Sequence, residues 1–210
     1  MEYDDSFNTA HAFAVDIARW EAKHRDFWTG RLGRRYLLSV VPTRARTGRI
    51  LEIGAAWYNK YQKDVVGRDN ELTVIDIKDP LDPAIVAIAG LDRYIRFDMT
   101  ERADWGNASV AATLDGCRGS FDEIRSWGVL SHYGFSASQC RDYLDNVADF
   151  LAPGGQAIFK LDIDTHKVVK QAPSAGIDFL EGLIRERFTV VHADVLTGNT
   201  PGHVLYVEKR

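Results

Sequence analysis

The chain has 210 residues, of which 45% are hydrophobic, with a formal net charge of -4 and a sequence pI near 5.9. This length supports one substantial hydrophobic core, and the acidic balance argues against a general nucleic-acid binder, which gains affinity from a large cationic surface. The only cysteines, Cys117 and Cys140, exclude a disulfide framework and a cysteine-rich zinc pattern.

The start of the sequence resembles neither an export signal nor a membrane anchor. Residues 1–5 are acidic where a secretory signal is basic and then apolar. No apolar run approaches the roughly 18 residues that cross a membrane. We therefore expect a cytoplasmic protein with no membrane partner.

Residues 1–48 are expected to form an N-terminal helical cap. Apolar residues recur at three-, four- and seven-residue intervals from Phe13 to Phe27, which predicts an amphipathic helix over about 10–27. A second helix is expected over about 31–41. The apolar stripe on the first helix fits either lid packing or a homodimer contact.

From residue 49 to the end, strand and helix patterns alternate. The predicted strands cover 49–54, 72–77, 93–97, 121–127, 156–163, 188–195 and 203–208. Predicted helices lie near 58–66, 81–90, 107–115, 136–153 and 177–184. Strands separated by helices require a mostly parallel sheet with helices on both faces, and the last two strands form an antiparallel hairpin. We predict a seven-strand α/β domain over 49–210.

One helix carries its own start and stop signals. Ser136 and Gln139 have the spacing of a capping box, and apolar positions continue to Leu151. The helix is therefore expected to run to Pro153, where a Gly-Gly turn follows.

Acidic residues follow three successive predicted strands. Glu52 precedes Gly54, where the absence of a side chain lets the backbone approach a ligand. Asp76 ends the second strand, where a carboxylate can accept both hydroxyl protons of a ribose. Asp98 follows the third strand and is suited to an adenine amino group. Ligands of parallel sheets bind beyond these strand ends.

In order and content these segments resemble class I S-adenosylmethionine-dependent methyltransferases over about 49–209. The resemblance rests on the loop 51–54, on Asp76 and Asp98, on the segment 121–133, and on Leu-Ala-Pro-Gly-Gly at 151–155 before an apolar strand. It implies a Rossmann-like fold and S-adenosyl-L-methionine as cofactor. The residues it implies for cofactor binding are Glu52, Gly54, Ala55, Asp76, Ile77, Asp98, Met99, Ser126 and Trp127.

The nucleotide loop departs from the family pattern, because only its first glycine, Gly54, is kept. The same lack of a G-x-G-x-x-G run argues against a nicotinamide or flavin dehydrogenase, in which the second glycine makes room for a pyrophosphate.

The remaining candidate residues concern the acceptor. His132 and Tyr133 follow the fourth strand and are the candidates for general-base catalysis, with a positioning role as the alternative. Trp57 and Asp162 are candidate substrate contacts. Asp162, Asp164 and His166 alternate along the chain, but we expect no metal site, since loop or acceptor contacts explain such acids better.

A basic segment precedes the main domain. Residues 19–49 hold nine Lys and Arg against two acidic residues, in a chain that is acidic overall. This segment is either a solvated helix face or a surface that attracts an anionic or carrier-linked acceptor.

We interpret the chain as a methyltransferase acting on an oxygen or nitrogen of a small molecule, as in secondary metabolism. Two alternatives stay open. One is an enzyme of this fold that catalyses a cyclisation or rearrangement, and the other is a non-catalytic binding module.

Overall fold

The computed structural model describes residues 48–54, 69–81, 90–132, 135–162, 176–196 and 202–210. Its strands are β1 (Arg49–Ile53), β2 (Glu71–Asp76), β3 (Arg93–Arg96), β4 (Phe121–Trp127), β5 (Leu151–Asp162), β6 (Phe188–Leu196) and β7 (Gly202–Lys209). The helices within these ranges are α1 (Ala108–Thr113), α2 (Val129–His132), α3 (Ala137–Phe150) and α4 (Ile177–Arg187).

The strands form one seven-stranded sheet in the order β3-β2-β1-β4-β5-β7-β6. The first five strands pair in parallel, and β7 pairs antiparallel with both β5 and β6. The predicted α/β class, the mostly parallel sheet and the C-terminal hairpin are therefore confirmed. The hairpin forms because the linker after β6 is too short for a crossover, so β7 must return beside its neighbour.

The largest hydrophobic cluster among the described residues lies on one face of this sheet. Side chains alternate between the two faces of a strand, and Leu51, Ile53 and Ile124 face α3 and α4, which contribute Val147 and Ile184 to the same buried cluster. Burial of such aliphatic side chains contributes about 1.5–3 kcal/mol each. The opposite face is mixed, since a small apolar cluster there neighbours buried charged residues.

The capping box of α3 is confirmed, whereas the predicted C-terminal end of this helix is wrong. Ser136 Oγ accepts from the Gln139 N–H, and the Gln139 side chain accepts from the Ser136 N–H. The helix ends at Phe150, and Leu151 is already extended and pairs with Phe121 of β4. Pro at position 153 disfavours helix in the preceding residue, and strand pairing takes over before it.

Other differences are small. Helix α1 begins at Ala108, because the Asn107 side chain caps it by accepting from the N–H groups of Ser109 and Val110, and it ends at Thr113, two residues before the predicted end. The short α2 was not predicted. The expected N-terminal helical cap at 1–48 and the helix at 58–66 lie outside the described residues, as does most of 81–90. None of the helices in the described ranges has the length and apolarity to span a membrane.

Candidate functional site

The strand order places a topological switch point between β1 and β4. From β1 the chain continues outward to β2 and β3, and then returns to place β4 on the other side of β1. The connections leave opposite sides of the sheet at such a point, which opens a crevice at the carboxyl ends of the strands. Asp76 and Asp98, two of the acids predicted as site residues, lie at or just after the ends of strands along this edge.

Gly54 follows β1 directly, at the edge where this crevice is expected. Its φ of 68° lies in the left-handed region, and its N–H donates to the Ile75 carbonyl at 2.9 Å. A Cβ atom at this position would lie 2.7 Å from Val129 Cγ2 of α2. Glycine is therefore required both by the backbone conformation and by the close approach of α2.

Glu52 lies beneath this edge rather than on it. Its side chain is 1% exposed, and Oε2 has no hydrogen-bond partner. Burial raises the pKa of Glu52 to about 8, against the opposing effect of the Arg125 guanidinium, and Glu123 adds to the rise. The side chain is therefore mostly protonated at neutral pH. Its contact with a cofactor stays a prediction.

A buried ion pair lies next to Glu52 on β4. Arg125 Nε donates to Glu123 Oε1, and both side chains are 2% exposed. Residues two apart in a strand share a face, and Arg125 is the register partner of Glu52 on β1. Arg125 Nη1 has no hydrogen-bond partner. The guanidinium on this face is bonded to Glu123, and the charge of Glu123 adds to the effect of burial in favouring the protonated form of Glu52.

Asp76 and Ile77 follow on β2. Asp76 is buried, and its Oδ1 accepts from the Lys78 N–H at 3.1 Å. The turn after it is anchored to β3, because Tyr94 Oη donates to the Lys78 carbonyl at 2.7 Å and the Phe97 N–H donates to the Asp76 carbonyl at 3.1 Å. Ile77 is 41% exposed, an apolar side chain left accessible directly after the acid.

Asp98 and Met99 follow β3, the neighbour of β2. Asp98 is half-buried, and its Oδ1 accepts from both the N–H and the Oγ1 of Thr100 at 2.9 and 2.8 Å. Within the described part of the chain, Asp98 Oδ2 accepts no hydrogen bond. Met99 is buried in the main core. Asp98 can therefore still accept from a ligand, while the Met99 side chain supports the segment from below.

Ser126 and Trp127 end β4 on opposite faces. Ser126 is buried, and its Oγ is 2.8 Å from Tyr143 Oη on α3. Trp127 packs on the other face against the cluster that contains Ile158 and Tyr206. The Ser126 hydroxyl is therefore held by the core side of the sheet.

The other predicted site residues cannot be placed by their side chains. His132 is the last residue of α2 and Asp162 is the last residue of β5. Their side chains, and all of Ala55, Trp57 and Tyr133, lie outside the described residues. In the sheet order β5 is four strands from β3, so the backbones of Asp162 and Asp98 are separated by about 19 Å at the usual strand spacing.

Sequence reasoning missed the buried polar residues that support the site. Tyr143 and Asn146 lie on the buried face of α3, and Glu123 and Arg125 on one face of a central strand. Two features of the sequence could have indicated them. Asn146 is a polar residue within the apolar stripe of a helix, and Glu123 and Arg125 are charged residues two apart in a strand expected to be buried.

The described residues fit a nucleoside with a free amino group on its base. Asp76 ends β2 with a buried carboxylate suited to a diol, Ile77 offers an apolar surface, and Asp98, two residues after the adjacent strand β3, retains a free acceptor atom. Among the described residues, no group of three His, Cys, Asp or Glu side chains has the arrangement of a metal site. The arrangement is suited to holding a nucleoside through hydroxyl and amino groups.

Neither a protein-family model nor a curated protein matches the chain at the sequence level. Solved structures do match its fold. One is a protein from Pyrococcus horikoshii, with a TM-score of 0.65 at 12% identity, covering 90% of this chain and 99% of that one. Another is a TehB-like S-adenosylmethionine-dependent methyltransferase from Corynebacterium glutamicum, with a TM-score of 0.59 at 14% identity, covering 94% and 100%.

A third similar structure is the 1,6-didemethyltoxoflavin-N1-methyltransferase of Burkholderia thailandensis with bound 1,6-didemethyltoxoflavin and S-adenosylhomocysteine. Its TM-score is 0.59 at 17% identity, covering 95% of this chain and 89% of that one. Further matches include an N-methyltransferase and a carbon methyltransferase, so the likeness does not define the acceptor. Together with the sheet order, these matches show that the chain has the class I S-adenosylmethionine-dependent methyltransferase fold.

Proposed function

We propose that the chain is an S-adenosylmethionine-dependent methyltransferase that methylates an oxygen or nitrogen of a small molecule, as in secondary metabolism. The observation that carries the proposal is the pair Asp76 and Asp98. These carboxylates follow neighbouring parallel strands on one side of the switch point, in a chain with the methyltransferase fold. A fold alone does not define an activity, so this placement supplies the specific support.

The cofactor would be held along the carboxyl edge of β1 to β4. The Asp76 carboxylate accepts from the ribose hydroxyls, Ile77 packs on the adenine, and Asp98 accepts from its amino group. The close approach at Gly54 shapes the crevice beside them. The remaining proposed cofactor contacts are Glu52, Ala55, Met99, Ser126 and Trp127.

S-adenosylmethionine, when bound, supplies an electrophilic methyl group on a positively charged sulfur. The residues of this chain would hold the acceptor atom in line with that methyl group and keep water out. Such alignment is the main requirement of a displacement at carbon. His132 and Tyr133, which follow β4, are the proposed acceptors of the proton that the acceptor atom loses.

The acceptor would lie on the side of the site away from the nucleoside. Trp57 and Asp162 are the proposed contacts, and residues 1–48 are proposed to form a cap over them. The excess of basic residues between 19 and 49 favours an anionic or carrier-linked acceptor, since opposite charge draws such a molecule towards the site.

Two other functions would give different experimental results. An enzyme of this fold that catalyses a rearrangement would use the same nucleoside site but yield a product without the mass of an added methylene unit. A binding module is favoured by the nucleotide loop, in which the sequence keeps one glycine only. Such a protein would not bind the cofactor.

Calorimetric titration with S-adenosylmethionine and S-adenosylhomocysteine tests the proposal. We expect the wild type to bind both, and Asp76→Ala to lose most of the affinity because the ribose hydroxyls lose their acceptor. Asp79→Ala is the matched control, since Asp79 is an exposed acid three residues later that pairs with Arg96. Failure of the wild type to bind either ligand would contradict the proposal and favour the binding module.

A further inference from the structure

The segment that follows Asp98 lacks regular secondary structure, although much of it is buried. Met99, Thr100 and Ala103 are all buried, and none of them lies in a helix or strand. Buried backbone groups outside regular structure need other hydrogen-bond partners. Most of these partners are supplied by Asn146 of α3, which lies 43 to 47 residues further along the chain than the groups it binds.

Asn146 of α3 binds this segment through its whole side-chain amide. Its Oδ1 accepts from the Ala103 N–H and from Arg102 Nη1, both at 2.9 Å. Its Nδ2 donates to the carbonyl groups of Met99 and Glu101 at 3.1 and 2.7 Å. Asn146 is completely buried, and these four bonds use both donors and two acceptor positions of the amide.

Asp149, one helical turn after Asn146, adds a charged contact to the same segment. Its Oδ2 accepts from Arg102 Nη2 at 2.7 Å and from Trp105 Nε1 at 3.0 Å. Burial opposes its ionisation, but the hydrogen bonds from Arg102 and Trp105 and the nearby cations hold the pKa of Asp149 below its usual range. It therefore stays charged at neutral pH and fixes the Arg102 guanidinium.

Thr100 connects the segment that Asn146 holds to the side chain of Asp98. Its N–H and Oγ1 both donate to Asp98 Oδ1, so the carboxylate is held through one oxygen and the other remains for a ligand. Thr100 lies between Met99 and Glu101, whose carbonyl groups are the two that Asn146 binds. The position of the free Asp98 oxygen thus depends on the Asn146 amide.

We propose that Asn146, acting through Thr100, is a positioning residue that aims Asp98 at the amino group of the cofactor's adenine. The inference rests on the proposed function. It adds that recognition of the base depends on a buried amide of α3 that touches no ligand. The expected signature is a loss of discrimination for the amino group, not merely weaker binding.

The test compares S-adenosylhomocysteine with its 6-deamino analogue, in which hydrogen replaces the amino group. For the wild type we expect the natural ligand to bind at least about tenfold tighter, as a hydrogen bond to a charged group implies. Asn146→Leu removes the four bonds at similar volume, and the ratio of the two dissociation constants should fall to about threefold or less. Thr100→Val, which removes only the hydroxyl, should also lower the ratio.

Ser136→Ala is the matched control, because it weakens the capping of α3 without touching the segment after Asp98. It should keep the wild-type ratio. If Asn146→Leu does not fold, Thr100→Val decides. Wild-type ratios in both variants would overturn the inference and leave the proposed function intact. Equal wild-type affinity for the two ligands would overturn the inference and also the proposed contact of Asp98 with the adenine, while binding of the cofactor would still support the methyltransferase. Binding of neither ligand by the wild type would overturn both.

Discussion

Glu52 combines almost complete burial with a carboxyl oxygen that has no partner. A buried ionised carboxylate without full compensation is costly, and the one nearby guanidinium is already bonded to Glu123. Protonation is the less costly state, which is why the pKa of Glu52 is raised to about 8. The folded chain therefore holds a proton that the unfolded chain releases at a much lower pH.

This shift predicts a pH-dependent effect of Glu52→Gln. Between pH 4.5, the ordinary pKa of a glutamate, and about pH 8, the folded state binds one more proton at this site than the unfolded state, so wild-type stability falls as the pH rises. The amide of Gln resembles the protonated carboxyl group and does not ionise, so the variant should not lose stability at this site as the pH rises. We expect the variant to match the wild type near about pH 5 and to be more stable by on the order of a few kcal/mol near about pH 8.5.

Denaturant unfolding of both proteins at the two pH values measures this difference. Glu71→Gln is the matched control, because it makes the same chemical change at an exposed glutamate at the start of β2. A Glu52→Gln variant that is equally destabilised at both pH values would mean that Glu52 is ionised in the folded protein.

Gly54 offers a second prediction at the level of one residue. Gly54→Ala should lower the free energy of unfolding by about 1–2 kcal/mol for the left-handed backbone, and further for the contact with Val129. Gly119→Ala isolates the first effect, since Gly119 has a φ of 61° and nothing within 4 Å of an added Cβ. Chemical denaturation of the Gly54→Ala variant, with and without Val129→Ala, measures the destabilisation caused by the contact with Val129. Equal losses of stability in Gly54→Ala and Gly119→Ala would exclude an effect of this contact.

Among the helices, α3 connects the two segments proposed to line the cofactor. Tyr143 contacts Ser126 at the end of β4, and Asn146 holds the segment after Asp98. Both residues lie on the buried face of the helix together with Val147 and Phe150. The position of one helix therefore affects the crevice at two of its sides.

The capping box of α3 gives a prediction at this scale. Ser136→Ala should lower the free energy of unfolding by about 1 kcal/mol, because the Gln139 N–H loses its acceptor. Thermal and denaturant unfolding measure the loss, with the exposed Arg141→Lys as the control on the same helix. No loss would mean that water replaces the cap at no cost.

The observed helices and strands also show which features sequence patterns can predict and which they cannot. The strands and the capping box were predictable, because hydrophobic periodicity and capping are local. The end of α3 was not, because Leu151 leaves the helix to pair with Phe121, thirty positions earlier. The role of Asn146 was also hidden, since its partners lie 43 to 47 residues away.

The two faces of the sheet differ in the chemical character of the side chains they bury. One face is the apolar core under α3 and α4, while the other carries buried charged side chains in its centre. Sheets of this class are usually apolar on both faces, so the charges are an exception that lies close to the switch point. The crevice at the strand ends is the place where both faces would meet the proposed ligand.

This placement predicts that cofactor binding stabilises the whole domain. The proposed contacts come from β1, β2, β3 and β4, so a bound nucleoside connects strands on both sides of the switch point. At a concentration one hundred times its dissociation constant, a ligand of the native state adds about 2.7 kcal/mol. For a chain of this size we expect S-adenosylhomocysteine to raise the melting temperature by about 5–10 °C.

A thermal shift titration measures this effect, with Asp76→Ala as the variant that should lose it and Asp79→Ala as the one that should keep it. The concentration dependence adds a second criterion, because a specific ligand raises the melting temperature along a curve set by its calorimetric dissociation constant. A shift equal in wild type and Asp76→Ala would place the ligand away from β2. No shift in either would argue against a nucleoside site at the switch point, since a ligand that contacts four strands cannot bind the native state without stabilising it.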